Sequence, residues 1–363
     1  MKKRGWLLAL LLTVGLMLSA CGSRLGANSW PELAVANDTA YLAGGTGVLA
    51  LNADDGQIAW GFVGGEKGFS AYAAPALSPD GKMMIVGDYE GRLYALTPEG
   101  KLLWSRAIAA SHFIAPPLVT AQAIYAPNAD GHLYALSPDG KTLWTFKADG
   151  QPLWGTPVTD GERLYVPSLG HHLYAVDLHD GTLIWDADLG GSIPSRPTLV
   201  DGVLYVGTFA KQVVALQAAD GKVLWKAKAD DWVWSAPAYT EGKLFFGDLS
   251  GKIWALDATD GHTLWSQATG SGIVGQPAIA DQTLFFATED GKVLAYSLDG
   301  KPQWEYTLQG KLYASPVVHN GQIFVTAYKS DFLAAALTTD GRPKWLLATK
   351  DAEAALKASQ PGK

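Results

Sequence analysis

Residues 255–265 read Ala-Leu-Asp-Ala-Thr-Asp-Gly-His-Thr-Leu-Trp, and the stretch recurs along the chain. An acidic residue, a glycine, three residues and a tryptophan return at Gly56/Trp60, Gly100/Trp104, Gly140/Trp144 and Gly181/Trp185. They return again at Gly221/Trp225, Gly261/Trp265, Gly300/Trp304 and Gly341/Trp345. Successive tryptophans lie 44, 40, 41, 40, 40, 39 and 41 residues apart. A period in this range marks a repeat architecture built from small supersecondary units.

A second marker keeps step with the first. Pro31, Pro75, Pro117, Pro157, Pro197, Pro237, Pro277 and Pro316 each precede their tryptophan by 27 to 29 residues. Unit six shows what lies between. Pro237-Ala238-Tyr239 leads to a turn at Glu241-Gly242, then to Leu244–Gly247, a turn at Ser250-Gly251, Ile253–Leu256, a turn at Asp260-Gly261, and Thr263-Leu264-Trp265. Short apolar runs separated by such pairs are hairpins, because glycine accepts the positive φ of a tight turn. Three hairpin turns join four antiparallel strands, and eight such units make an all-β, eight-bladed β-propeller over residues 30–348. In units two to seven the small Ala95, Ala135, Ala175, Ala215, Ala255 and Ala295 permit close approach, and the eight motif tryptophans are expected to fill the wedges between blades. Residues 22–29 are too few for an outer strand, so blades one and eight are expected to meet by side-chain packing without a shared strand. The tail from 349 to 363 includes an alanine-rich stretch, Asp351–Ala358, expected to be weakly helical and frayed.

The pattern A-x-D-x-x-[TD]-G-x-x-x-W resembles the repeat of the PQQ-like, quinoprotein-type propellers. Ala175–Trp185 and Ala255–Trp265 match it best, and units two, three and seven are one residue shorter before the turn. Eight in-phase copies make the resemblance specific for architecture, which by itself says little of function.

The first 20 residues are set apart. Met1-Lys2-Lys3-Arg4 is basic, Trp6–Leu18 is apolar but short for a membrane span, and small residues follow. That is the form of an export signal. Leu18-Ser19-Ala20-Cys21 resembles a bacterial lipobox, which implies lipidation of Cys21 and a tether over 21–29; Gly22 after it implies sorting to the outer membrane. Cys21 is the only cysteine, so the chain has no disulfide, thiolate metal site or covalent haem. Loss of the leader takes the net charge from −7 to −10 with Lys2, Lys3 and Arg4, which disfavours nucleic acid and anionic lipid as partners.

Chemistry, if any, belongs at the axis. Two residues before each proline the chain is small: Ser29, Ala73, Ala115, Gly155, Ser195, Ser235, Gly275 and Ala314. Three before it, even-numbered units carry Tyr72, Trp154, Trp234 and Tyr313, whereas odd-numbered ones carry Asn28, Ile114, Pro194 and Val274. Thr156, Arg196, Gln276 and Ser315 share a strand face with that ring. Tyr72, Trp154, Trp234, Tyr313, Arg196 and Gln276 are thus candidates for a channel-mouth site. The opposing expectation, and the favoured one, is an aromatic plug filling the axis, since buried aromatics are more often packing than recognition. Scattered histidines, including His171-His172, form no metal site. Asp88, Asn128, Ser168, Thr208, Asp248 and Thr288 recur as turn formers. Trp232, Trp234 and Trp254 beside Asp230-Asp231 give blade six extra aromatics, expected to be a packing variation.

Two functions follow from the resemblance. Lipid-anchored, acidic propellers of this type act as monomeric protein-binding scaffolds in outer-membrane β-barrel assembly; this implies an envelope partner such as the barrel insertase, a membrane attachment through Cys21, no cofactor, no metal and no catalytic residue. The alternatives are a PQQ-dependent dehydrogenase, with Trp154 or Trp234 stacked on the quinone, or a receptor for a small envelope ligand. The dehydrogenases commonly place a vicinal cysteine pair beside the quinone, and no such pair exists here.

Overall fold

The computed structural model describes residues 30–64 and 69–359. The leader, Cys21, Asn28 and Ser29 lie outside the described residues. Eight four-stranded antiparallel sheets follow one another in sequence order, each a meander of four consecutive strands. Blade six is typical, with strands Ala238–Thr240, Lys243–Gly247, Lys252–Asp257 and Thr263–Ala268. Its first turn has Glu241 at φ 50° and Gly242 at φ 73°. Two successive positive φ values are the two-residue hairpin whose twist matches that of the strands it joins.

The core is divided into interfaces. Each buried cluster joins the facing sides of two neighbouring blades, as where Phe245, Ile253 and Ala255 meet Leu284, Phe286 and Leu294. Alanine on the third strand has a specific task. Phe245 pairs with Ala255, and Ala255 pairs with Trp265, so three strands bring the two rings within 6.0 Å over one methyl group. The same sandwich recurs at Tyr165/Trp185 and Phe324/Trp345, with ring separations of 5.8 and 6.0 Å.

The repeated glycine and tryptophan prove to be two halves of one contact between blades. The Trp225 indole of blade five lies on Gly261 of blade six, where a Cβ would come within 2.5 Å of Cε3. Gly261 also sits at φ +76°, which side chains with a Cβ rarely adopt. In the same way Trp60 lies on Gly100, Trp104 on Gly140, Trp144 on Gly181 and Trp185 on Gly221. Trp265 lies on Gly300 and Trp304 on Gly341. Most of the indole N–H groups also reach the next blade. Trp60 and Trp104 donate to the Pro98 and Pro138 carbonyls at 3.0 and 2.9 Å. Trp265 and Trp304 donate to those of Leu298 and Thr339 at 2.9 and 3.0 Å.

The rings pack between blades as expected, and this placement adds where in the wedge they sit. Trp60, Trp104, Trp144, Trp185, Trp225, Trp265, Trp304 and Trp345 are all only half-buried. They stand on the outermost strand, the solvent edge of each blade, so they close the rim of the wedge. Smaller side chains further in fill it. Between blades two and three, Ile85 and Leu93 meet Phe113, Ile124 and Leu136, with Trp104 packed against their edge.

The seam between blades eight and one uses the same device. Trp345 lies on Gly56 and donates from Nε1 to the Ala53 carbonyl at 2.9 Å. Gln322 donates to Asp54 at 2.7 Å, and His319 to the Asn37 carbonyl at 2.6 Å. Among the described residues the outer strand Pro343–Ala348 pairs only with Phe332–Thr338; residues 22–29, on which the expectation of closure without a shared strand turns, lie outside the described residues.

The tail departs from expectation. Thr349–Ala358 forms a helix, α1, which docks and does not fray. Ala352 and Leu356 are buried in the cluster that joins blades eight and one. Gly47 of blade one leaves room for Leu356, whose Cδ2 lies 2.2 Å from where a Cβ would be. Short helices gain stability from packing an apolar face more than from propensity, and that packing was invisible in the local composition. Leu356→Ala is expected to lower stability by about 2–4 kcal/mol in urea titration; an unchanged midpoint would show that α1 does not clasp the seam.

Candidate functional site

Each inner strand starts just after its proline, so the residues ahead of it sit where the blade approaches the axis. Residues one, two and three before the prolines lie in the non-strand approach to the inner strand and face the axis, joined by Glu32 after Pro31. Together they line an axial cavity of about 610 Å³. Tyr72, Trp154, Trp234 and Tyr313 all face it, as do Arg196, Gln276, Thr156 and Ser315. The aromatics therefore wall an opening and do not fill it, contrary to the expected plug. Eight wedges leave an axis too wide for four rings to close.

The mouth lies on the face that carries the turns between second and third strands. Tyr89 comes from one such turn, and a neighbouring recess adds Leu249, Glu289, Tyr328 and Lys329 from others. Trp30, directly before Pro31, reaches across to Tyr313 and Trp234 at 5.1 and 6.0 Å. From Trp234 the aromatic surface continues outward to Phe209 at 4.8 Å and then to half-exposed Trp232, stacked on Phe209 at 4.6 Å. On the other side Tyr72 meets Tyr89, which stacks on His112 at 4.8 Å. The blade-six aromatics thus divide: Trp254 is buried with its N–H on Asp248 at 3.0 Å, whereas Trp232 and Trp234 lead from the surface into the cavity.

The polar lining sorts by whether its partners lie within the ring. Thr156 donates to the Pro116 carbonyl at 2.7 Å, and the Gln276 side-chain amide to the Pro237 carbonyl at 3.2 Å. Ser315 accepts from the Gln276 backbone N–H at 2.9 Å. Those groups hold neighbouring blades together. Arg196 has no ion pair, hydrogen bond or ring contact among the described residues; its side chain is exposed to the cavity, whose walls strip part of its hydration and lower its pKa. Behind it the wall contains three buried polar atoms without hydrogen-bond partners: Trp154 Nε1, Ser195 Oγ and Ser235 Oγ.

Among the described residues Glu32 is the single carboxylate in the lining. It accepts from the Ala74 N–H at 3.2 Å. Its enclosure in the channel pushes its pKa from 4.5 up to about 7, with the Ala74 bond opposing the shift. Glu32, Trp30, Tyr89 and His112 were absent from the sequence candidates. A signal existed for the first two: at their repeat positions the other units carry nothing larger than leucine at the Glu32 position and no other aromatic at the Trp30 position. Tyr89 and His112 come from separate connections, and only the fold brings them to the axis.

The recurring turn residues behave as expected. Asp248 Oδ1 accepts from the backbone N–H groups of Ser250 and Lys252 at 2.9 and 3.2 Å. Among the described residues one trio, Asp257, Asp260 and His262, has the closeness of a metal site. Its oxygens instead cap an exposed hairpin, Asp257 accepting from Thr259 N–H and Asp260 from His262 N–H. A calcium-bound quinone does not fit the axial lining either. Hard cations require several oxygen ligands; the cavity offers one carboxylate, which burial drives towards its neutral form.

The family model described as "Outer membrane protein assembly factor BamB" matches residues 20–126, 44–191, 129–208, 170–275 and 267–362. The chain belongs to this family. Similar solved structures include BamB from Moraxella catarrhalis, with 18% identity, a TM-score of 0.72, and coverage of 82% of this chain and 93% of that one. The computationally designed Ika8 protein shares 13% identity at a TM-score of 0.72, covering 90% and 98%. Sqt1 of Saccharomyces cerevisiae shares 12% at 0.69, covering 80% and 90%. Likeness at these identities is likeness of fold alone. No curated protein sequence matches the chain.

Glu32 generates a prediction with a definite sign. Between about pH 4.5 and pH 7 the folded chain keeps a proton that the unfolded chain has released, so this group's contribution to stability falls as pH rises. Glu32→Gln is expected to match the parent at pH 4 and to exceed its stability at pH 8 by up to about 3 kcal/mol in urea titration. A difference independent of pH would contradict the assignment.

Proposed function

We propose that the chain is a non-enzymatic, lipid-anchored binding platform of the cell envelope. In this reading a lipid on Cys21 holds it at the periplasmic face of the outer membrane, where it assists assembly of β-barrel proteins. The observation that carries the reading is the family match, which runs from residue 20 to residue 362. The ring supports it physically. Its blades are locked by repeated interfacial cores, so its faces hold their shape when a partner docks. Among the described residues no helix is long and apolar enough to cross a membrane.

Expression of the full-length chain and of Cys21→Ser in a two-membrane bacterium tests both halves. The parent is expected in the outer-membrane fraction and the variant in the soluble periplasmic extract. In mild detergent the parent is expected to bring down the outer-membrane barrel insertase. A folded, membrane-bound parent that recovers no insertase subunit would refute the assembly role, and a variant that stays membrane-bound would refute the anchor.

A further inference from the structure

The geometry points to a binding site at the mouth of the axial cavity for a carboxylate carried on an aromatic or apolar group, with the Arg196 guanidinium supplying the counter-charge. The inference is independent of the platform role. A volume of about 610 Å³ is that of an ordinary ligand pocket. Its walls provide flat apolar surface at Trp30, Trp154, Trp234 and Tyr313. Orientation needs a small number of polar groups, and here the one charged donor, Arg196, is without a partner among the described residues.

Arg196 decides the sign of the ligand. Arg196 is exposed on the cavity wall, and every described carboxylate is beyond ion-pairing distance of it, so its guanidinium is open to an anionic ligand. Its planar fork matches a carboxylate through two parallel hydrogen bonds. Two lysines stand near the rim. Lys311 Nζ lies 5.5 Å from the Tyr313 ring and Lys329 Nζ 5.2 Å from that of Tyr328, with Glu289 as their local counterweight.

Glu32 modulates the same site. The other titratable groups lining the cavity are Arg196, His112, Tyr72, Tyr89 and Tyr313, and His112 is engaged through Nδ1 with the Tyr89 carbonyl. Below about pH 7 the Glu32 carboxyl is largely protonated and does not repel an anion. Above it, ionised Glu32 opposes the ligand, so anion affinity falls as pH rises.

Calorimetric titration of the detergent-solubilised full chain with phenylacetate, phenylacetamide and phenethylamine at pH 6 and pH 8 tests the site. Phenylacetate is expected to bind at least about tenfold tighter than the amide, and Arg196→Gln to remove that preference while leaving the melting curve in place. Glu32→Gln is expected to abolish the loss of affinity between pH 6 and pH 8. A tripeptide ending in phenylalanine, as free acid and as C-terminal amide, separates the two sources of such a carboxylate. Tighter binding of the peptide acid than of phenylacetate identifies a chain terminus, and the reverse order identifies a free small acid. Equal binding of acid and amide, preference for the amine, absence of binding by every probe, or an Arg196→Gln variant that binds like the parent would each overturn the proposal.

Discussion

The structure depends on one contact: an indole laid flat on a glycine of the next blade. Four-stranded meanders have two faces and cannot bury both alone, so a single blade has no stable existence. Stacking solves the burial problem only if neighbours approach closely and at a fixed angle. The tryptophan on the outer strand and the glycine in the outer hairpin set that approach far from the axis, where a small error in angle would be magnified around the ring. Gly261 under Trp225 leaves no space for a methyl group, so the spacing from glycine to tryptophan within a unit reflects two different interfaces. The glycine receives the preceding blade and the tryptophan engages the following one.

Closure follows from the same rule. Blade one presents Gly56 to Trp345, so the last unit finds the receptor that every other unit finds. No strand needs to be exchanged between the chain ends. The seam differs from the other interfaces only in its reinforcement, with α1 covering the join through Ala352 and Leu356. An opening at the axis is the geometric consequence of eight units. Small residues before each proline let the inner strands converge, and the side chains on either side of them in sequence face into the space that remains.

The architecture was legible because its determinants are local and repeated. Turn pairs such as Glu241-Gly242, alternating apolar strands and the tryptophan period each specify a hairpin or a blade without reference to distant residues. The period did not say how deep the rings sit: Trp60, Trp144 and Trp304 seal a rim, because the strand that carries them is the last before solvent. The site was legible in part, for the same reason: Tyr72, Trp154, Trp234 and Tyr313 stand at one repeat position, and repeat position fixes which way a side chain points. Whether they fill the axis or line it depends on the ring's width, a global quantity that no single repeat encodes. Trp30 and Glu32 departed from their repeat positions yet could be weighed only once their neighbours across the axis were known. The docking of α1 was hidden because its apolar face is two residues, Ala352 and Leu356, and its receptor, Gly47, lies 309 residues away from Leu356 in sequence.

Function rests on a different kind of constraint from fold. The ring is shared with proteins as unlike as a designed propeller and a yeast protein, so the shape is permissive. What belongs to this chain is an acidic, cysteine-poor body, a candidate lipid attachment, and a cavity in which an arginine has no partner among the described residues. The central claim remains mechanical, and a double-mutant cycle at the seam addresses it directly. Trp345→Ala, Gly56→Ala and the double variant are compared by urea titration. If indole and glycine form one contact, the double variant is destabilised by less than the sum of the singles by about 1 kcal/mol or more; strictly additive losses would mean that the two act apart, and the account of the ring would fail.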